Sequence, residues 1–430
     1  MPREKLRQFQ FRKFKQIFTW AYERSPMYRE IYDKAGITPA DLRTWEDIRR
    51  VPLAEKAHYR EAQARDPWPY GRSLCVPLAE VTVFHQTSGT TGQPIYQPDT
   101  WEDWEWCSEC WAYILWAMGF RKDDRVFIPF PYNVFIAYWQ GHYASEKIGC
   151  EVIPGGGMST EERLLKMKEL RPTAFMATPT YALNMATVCR EKLGIDPRSL
   201  GIQKIVCAGE PGASIPSTKK RLEEAWGARV YDHAGGTELG PWGYECSAQP
   251  GGLHVNEGFF LAELLDLESG EPVEEPGRLG KLVLTSFDRK AQPCVRYDTK
   301  DVTMWGGPCA CGRTFRLAMG GVHGRIDHIT KVKGVLFSPV AVEEVVRGFA
   351  ELGDEYELVV RKKGDADDLL LRVEILPAVE AKQKTDLQEK LLQELWLKTN
   401  LHFRLEICPY GSLPRYETKA KRFKDLRHTE

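Results

Sequence analysis

The chain has 430 residues, with 59 Lys plus Arg against 60 Asp plus Glu and a net charge of −1. Binding to a phosphate backbone usually leaves a basic excess, so this balance argues against nucleic acid as a partner. A composition of 43% hydrophobic and 28% charged residues is that of a globular protein and excludes long-range disorder. At roughly 100–200 residues per domain the length predicts two to four units, with cores large enough to need no covalent staples.

The opening stretch, MPREKLRQFQFRKFKQIF, is basic and amphipathic and lacks the apolar centre of a secretory signal. Leu6, Phe9, Phe14, Ile17 and Phe18 fall on one helical face. That predicts a helix lying on the body of the protein rather than on a membrane surface. No apolar run of ~18 residues offers a membrane span. The eleven cysteines are odd in number and scattered, which predicts reduced thiols in a cytoplasm. A cysteine cluster is therefore first a metal-site candidate.

At 87–94 the segment TSGTTGQP packs four hydroxyls and two glycines into six residues. Glycines let backbone N–H groups approach an anion closely and the hydroxyls add donors, which makes a phosphate cradle. It is not a Walker loop, because no Lys-Ser/Thr follows Gly92. Further on, Ser159 and Glu162 fit a capping box for a helix that stops before Pro172. Residues 174–177 read as a buried strand. Thr178 then caps a helix with Pro179 at its first position, running to Gly194. A strand at 204–208, a helix from about Pro216 to Gly227 and a strand at 229–232 follow. This alternation predicts parallel strands with crossover helices, and ligands collect beyond the carboxyl ends of such strands. Two loops fall there, AGEPG (208–212) and HAGGTELG (233–240), each with glycine and one carboxylate. Together they point to a shared site.

From Gly251 to Asp301 short alternating segments such as 281–285 predict a β-rich section. A separate unit begins near Gly324, with helices at 339–349 and 381–399 and strands at 357–361, 369–375 and 404–407. Between these features, Cys246, His254, Cys309 and Cys311 offer three sulfurs and one nitrogen, the ligand set of a closed structural zinc site. Cys294 is the rival thiol.

Thr-Ser-Gly-Thr-Thr-Gly resembles the phosphate loop of the adenylate-forming superfamily of acyl-CoA synthetases, peptide-synthetase adenylation domains and luciferases. Later landmarks arrive in that family's order. GGTE (235–238) resembles its Gly-x-Ser/Thr-Glu motif and RYDTKD (296–301) its Tyr-Arg-Thr-Gly/Arg-Asp motif. GRID (324–327) resembles the interdomain linker, and Lys419 in LPRYETKAKR (413–422) the catalytic lysine. Within the superfamily the chain resembles phenylacetate–CoA ligases and related aryl-CoA ligases through SPMYRE (25–30), HYASE (142–146), TPTYALNMA (178–186) and AGEP (208–211).

The resemblance implies an α/β protein with a large N-terminal domain, 1–324, of mixed and parallel sheets and a β-rich section. A small mobile α+β lid, 325–430, would carry the catalytic lysine. It implies ATP, Mg²⁺ and coenzyme A as cosubstrates and cofactors. Attack of a carboxylate on the α-phosphorus of ATP converts a poor leaving group into AMP, and cations and donors must offset the repulsion of two anions. Lys419 would bridge the acid and the α-phosphate, with Glu238 and Thr237 as its catalytic companions. Thr87, Ser88, Gly89, Thr90, Thr91 and Gly92 would cradle the β- and γ-phosphates. Glu238 would hold Mg²⁺, a hard cation that takes oxygen ligands. Asp301 would accept hydrogen bonds from the ribose and Arg325 would assist it. Ala208, Gly209, Glu210 and Pro211 with Asp232, His233, Ala234, Gly235, Gly236 and Thr237 would complete the nucleotide pocket. Asp327 would be the hinge about which the lid turns between half-reactions. Some ligases of this type carry a structural metal, which supports the zinc reading.

The acid pocket is expected from Phe135, Tyr138, Trp139, His142, Ala208 and Gly235. Here the chain departs from its relatives. Ala137, Tyr138, Trp139 and Gln140 stand where small or aliphatic residues are expected, Ala234 replaces a residue that often stacks on adenine, and Thr418 replaces the usual Gly. The aromatic content suggests an aryl acid of the phenylacetate, indoleacetate or benzoate type packing on aryl walls. The expected activity is therefore ATP-dependent aryl-CoA ligation in the cytoplasm, with no nucleic-acid or membrane partner, and the resemblance implies a homodimer. The rivals are an adenylating enzyme that passes the acyl group to an amine, a carrier protein or another non-CoA acceptor, and a non-catalytic nucleotide-binding relative.

Overall fold

The computed structural model describes residues 1–87, 93–326, 330–332, 335–363, 366–379, 381–416 and 420–427. Side chains are described at all of these except 137, 330, 331, 335, 336, 363, 366, 381 and 382. The chain forms two compact units. The first joins Met1–Met158, Pro172–Met176 and Tyr231–Gly321; the second joins Ser159–Arg171, Ala177–Val230 and Val322–Glu430.

In the first unit the opening helix, Arg3–Arg24, has no side-chain cap and is held by its apolar face. Leu6, Phe14, Ile17, Phe18 and Ala21 are buried, and Phe9, half-buried, meets Phe287 edge-on at 6.2 Å. The Gln10 amide donates to the carbonyls of Glu257 and Phe260, both at 3.1 Å. The expected helix thus lies on its own unit. A second long helix, Trp101–Ala117, starts in a Thr100–Asp103 capping box. Strand Arg125–Ile128, with Val126, Phe127 and Ile128 fully buried, runs parallel to Glu151–Pro154 and to Ala174–Ala177. The burial of strands on both faces is why these runs read as continuously apolar. Strands Gly240–Tyr244, Gly252–Val255 and Leu317–Met319 form an antiparallel meander, and Phe260–Leu265, Leu279–Ser286 and Tyr297–Met304 form another. The β-rich expectation for 251–301 is met.

One expectation fails. HAGGTELG is not a loop throughout: strand Arg229–Gly236 continues to Gly236 and pairs antiparallel with Gly240–Tyr244. His233 faces Tyr244 and Gly236 faces Gly240, with an irregularity between Ala234 and Gly235. A Cβ on Gly235 would lie 3.2 Å from the Gly240 carbonyl and from His233 Nε2, so close packing explains this glycine. Only Thr237–Leu239 turns.

In the second unit Ser159 and Glu162 close their capping box on helix Thr160–Leu170 through reciprocal bonds of 3.2 and 2.7 Å. Thr178 caps helix Pro179–Glu191, which ends before the expected Gly194. Helix Pro216–Trp226 stops at Gly227, whose φ of +65° suits a residue without a Cβ. The C-terminal part has helices Pro339–Gly348 and Ala381–Thr399. They pack on a sheet ordered Arg404–Cys408, Ala366–Ile375, Leu352–Lys363, Phe423–Asp425, an antiparallel hairpin with a parallel strand on each side. Its core includes Val342, Val346, Leu358, Val360, Leu371, Val373, Leu391 and Leu395. Arg221 ties this layer to helix Pro216–Trp226. Its guanidinium donates to the carbonyls of Arg347, Phe349 and Leu352 and to the Asp354 carboxylate. Carbonyls at a helix C-terminus have no intrahelical donor, and a guanidinium supplies several at once.

Candidate active site

Glu238 is the best-defined polar group among the expected site residues of the first unit. Strand Arg229–Gly236 delivers it into the turn after Gly236. The side chain of Arg289, fully buried, donates to the carbonyls of Thr237 (2.6 Å) and Glu238 (3.2 Å). The same guanidinium pairs with the fully buried Asp99 through two bonds of 2.6 and 2.7 Å. Burial pushes the Asp99 carboxyl up, but the bidentate geometry and the strengthened hold of Arg289 on its proton mark an ionic pair. Cys294 donates its thiol to the Glu238 carbonyl at 3.2 Å. With the backbone so clamped, the carboxylate is aimed rather than free to swing. Its Oε1 accepts from Tyr297 Oη at 3.3 Å and pairs with Lys56 Nζ at 3.4 Å.

The RYDTKD segment lies beside it. Arg296 and Lys300 both hold left-handed backbone, φ +45° and +63°, which is costly for residues with a Cβ and is found preferentially at functional sites. Arg296 is locked by two 2.9 Å bonds to Glu263, and Lys300 pairs with Asp298 at 2.8 Å. Asp301 is half-buried, and its N–H donates to Thr299 Oγ1. At the phosphate loop Thr87 is buried. Its N–H donates to the Ile95 carbonyl (3.0 Å) and its hydroxyl accepts from Ile95 N–H (2.9 Å), which closes the neck of the loop. Ser88, Gly89, Thr90, Thr91 and Gly92 lie outside the described residues, as do Asp327, Thr418 and Lys419.

His233 packs against Trp111 with ring centroids 4.0 Å apart and the rings tilted by 45°, and burial drives its imidazole down to about 3, so it is neutral. Asp232 is buried, with its N–H 3.3 Å from Glu245 Oε2. The expected acid-pocket residues split. Trp139 and His142 come together around Tyr132, which the sequence reading did not assign to the pocket: Tyr132 Oη is 2.9 Å from His142 Nδ1, and its ring meets Trp139 edge-on at 4.8 Å. Tyr138 instead stacks on Phe130 at 4.0 Å, and Phe135 is exposed. Trp111 Nε1 donates to Gln140 Oε1 at 3.0 Å, while Gln140 Nε2 is buried near the Cys107 thiol and has no hydrogen-bond partner among the described residues.

In the second unit the AGEP loop follows strand Lys204–Ala208, with Gly209 in the left-handed region. Glu210 accepts from the Thr180 N–H and, with its other oxygen, from the Ala420 N–H, both at 3.0 Å. Arg422 joins the fully buried end of this network, donating to Glu355 and to Thr180 Oγ1. Arg325 is half-buried in the short strand Gly324–Arg325.

The four candidate metal ligands converge. The ligand atoms of Cys246, His254, Cys309 and Cys311 all lie within 4.8 Å of one another. Cys246 and Cys309 sulfurs are 3.6 Å apart, and Cys311 Sγ is 3.5 Å from His254 Nε2. A tetrahedron with metal–sulfur bonds of about 2.3 Å has edges of about 3.8 Å, near the two separations just given, so the donor set suits zinc. His254 Nδ1 lies 3.4 Å from the Phe315 carbonyl, which leaves Nε2 as the ligand nitrogen. Backbone N–H groups of Cys311 and Arg313 point at the sulfurs of Cys309 and Cys311, as thiolates favour. Burial pushes the Cys246 thiol up to about 12, a cost that a bound cation would reverse. Cys294 is excluded from this cluster by its bond to Glu238.

Residues 334–427 match the family of AMP-binding enzyme C-terminal domains. Over 99% of its length the chain is 32% identical to a phenylacetate–coenzyme A ligase of Thermus thermophilus, covering 98% of that protein. The chain belongs to the phenylacetate–CoA ligase family. A phenylacetate–coenzyme A ligase of Escherichia coli is 30% identical over 99% of this chain and 96% of its own. The crystal structure of a 2-hydroxyisobutyryl-CoA ligase in its postadenylation state superposes with a TM-score of 0.93 at 29% identity, covering 99% of this chain and 90% of that one. As a phenylacetate–CoA ligase family member, the protein is an AMP-forming acid–CoA ligase, and ATP and CoA are its cosubstrates. Arg289, Asp99, Lys56 and Tyr297 are the site residues that the sequence reading missed. Only Tyr297 stood inside a recognised motif.

Proposed function

We propose that the enzyme ligates an aromatic carboxylic acid to CoA through an acyl-adenylate, releasing pyrophosphate and then AMP. The full-length kinship with the phenylacetate–CoA ligases carries this reading, and the clamped Glu238 supports it. Glu238 holds Mg²⁺, the loop from Thr87 to Gly92 holds the β- and γ-phosphates, and Asp301 and Arg325 serve the ribose. Residues 208–211 and 232–237 frame the nucleotide. Lys419 supplies the charge that lets carboxylate and α-phosphate meet. Its chain neighbour Ala420, held by Glu210, supports this role. Residues 1–324 form the larger functional domain and 325–430 a lid turning about Asp327. Tyr132, Trp139 and His142 contribute aromatic wall to the acid pocket. A structural zinc is held by Cys246, His254, Cys309 and Cys311.

A second reading replaces the aryl acid with a small hydroxy acid. It is favoured by the likeness to the 2-hydroxyisobutyryl-CoA ligase and by Gln140, whose unsatisfied buried amide would suit a substrate hydroxyl. Pyrophosphate release across aryl acids and 2-hydroxyisobutyrate, with and without CoA, tests both. Faster turnover with an aryl acid and CoA-dependent AMP release support the first. Preference for the hydroxy acid replaces it with the second, and AMP release indifferent to CoA removes CoA as acceptor. Lys419→Ala is expected to abolish acid-dependent pyrophosphate release.

A further inference from the structure

We propose that Lys56 is a phosphate-contacting cation of the nucleotide site, beyond Lys419 and Arg325; this rests on the reading of Glu238 as the Mg²⁺ ligand. Three observations converge on it. First, Lys56 Nζ lies 3.4 Å from Glu238 Oε1, the oxygen that also accepts from Tyr297. Among the described residues no donor reaches Oε2, which leaves that oxygen for a metal. Second, the helix that carries it, Lys56–Gln63, is bonded to the chain leaving the phosphate loop. Arg60 Nε donates to the Gln93 carbonyl at 2.9 Å, and Gln63 exchanges hydrogen bonds with the Tyr96 backbone at 2.6 and 2.9 Å. One short helix therefore spans from the exit of the glycine-and-hydroxyl loop to the carboxylate. Third, Lys56 is the first residue of that helix. A cation at the positive end of a helix dipole is locally unfavourable, and the same position is where backbone N–H groups gather anions. The Glu55 carboxylate already accepts from the backbone at that terminus, so what the helix start offers a phosphate is the Lys56 ammonium.

Lys56 is half-exposed, so its ammonium can leave Glu238 when a divalent cation takes the carboxylate and move to a phosphate oxygen. It thus balances charge in two states: on the carboxylate before the nucleotide binds, on the phosphates after. Loss of the ammonium then has opposite effects on the two ligands. A metal without nucleotide gains, because a competing positive charge is gone. A metal–nucleotide complex loses, because a charge-assisted contact is gone.

The test measures Mn²⁺ binding to the free enzyme by paramagnetic resonance and MgATP binding by calorimetry, in the wild type, Lys56→Gln, Lys56→Arg and Glu238→Gln. Lys56→Gln is expected to bind MgATP about tenfold more weakly and Mn²⁺ a few-fold more tightly. Lys56→Arg should recover most of the MgATP affinity. Weakening of both ligands together would mean that Lys56 only steadies Glu238, and no change in either would mean a surface ion pair; both outcomes overturn the proposal. If Glu238→Gln binds Mn²⁺ as well as the wild type, the metal role of Glu238 falls. The MgATP arm still decides Lys56 in that case: a tenfold loss in Lys56→Gln that Lys56→Arg repairs supports it, and an unchanged affinity overturns it.

Discussion

Arg289 shows how a residue far from any motif can govern the site. Its guanidinium spans from Asp99 to the carbonyls of Thr237 and Glu238, so one buried ion pair fixes the backbone from which the Glu238 carboxylate, proposed to hold Mg²⁺, projects. Because Arg289 holds the backbone and not the carboxylate, Glu238→Gln should separate chemistry from folding. Acid-dependent pyrophosphate release is expected to fall by about 10²–10³ while the unfolding midpoint barely moves. Asp99→Ala should do the reverse first: it strands a buried guanidinium, and urea denaturation should show a loss of about 3–5 kcal/mol. The buried histidines set the pH dependence of stability. Burial holds His85 down at about 4 and His233 at about 3. As pH falls below ~6.5 the unfolded chain takes up protons that the folded chain refuses, at about 1.4 kcal/mol per pH unit for each histidine. Stability is therefore full above that pH and lost towards pH 4; the thermal midpoint should drop steadily from pH 7 to 5, with a shallower slope in His85→Gln. Glu238 was legible because it sits in a motif. Asp99, Arg289 and Lys56 were not, because each acts on a partner about 50 or more residues away whose approach only the fold creates.

Local chemistry made some elements readable. Ser159 with Glu162, and Thr178 with Pro179, announced helix starts that the structure reproduces residue for residue. These signals depend only on satisfying the first N–H groups of a helix. The hairpin from Arg229 to Tyr244 was misread because glycine lacks any strand signal of its own; its packing against Pro241 and the Gly240 carbonyl is a tertiary fact. The long hairpin of Leu352–Lys363 with Ala366–Ile375 extends beyond its apolar centre. Arg361 with Asp368 and Lys362 with Asp367 pair across its polar end, where an apolar pattern stops early. The cysteine–histidine set belongs to this scale too, because it joins strand Gly252–Val255 to the segment around 309–311 and to the end of strand Gly240–Tyr244. Elemental analysis should find about one zinc per chain. Cys309→Ser should lose the metal and several degrees of thermal stability, and a metal-free wild type of unchanged stability would contradict the site.

At the scale of the whole chain, the ordered landmarks from Thr87 to Lys419 made the family legible, since successive half-reactions need a phosphate cradle, a metal carboxylate, a ribose acceptor and a mobile cation in one polypeptide. The acid was less legible. Tyr138 spends its ring on Phe130 and Phe135 faces outward, so two of the aromatic positions counted towards an aryl pocket are not joined to Tyr132, Trp139 and His142. Aromatic composition does not distinguish a wall from a core. The central claim concerns the route rather than the acid: a carboxylate oxygen attacks the α-phosphorus, and the CoA thiol then displaces AMP from the acyl carbon. Turnover of a carboxyl-¹⁸O₂ acid with ATP and CoA, followed by mass spectrometry of the products, reads that route directly. The account predicts one labelled oxygen in AMP, one in the acyl-CoA and none in pyrophosphate; AMP free of label would contradict it.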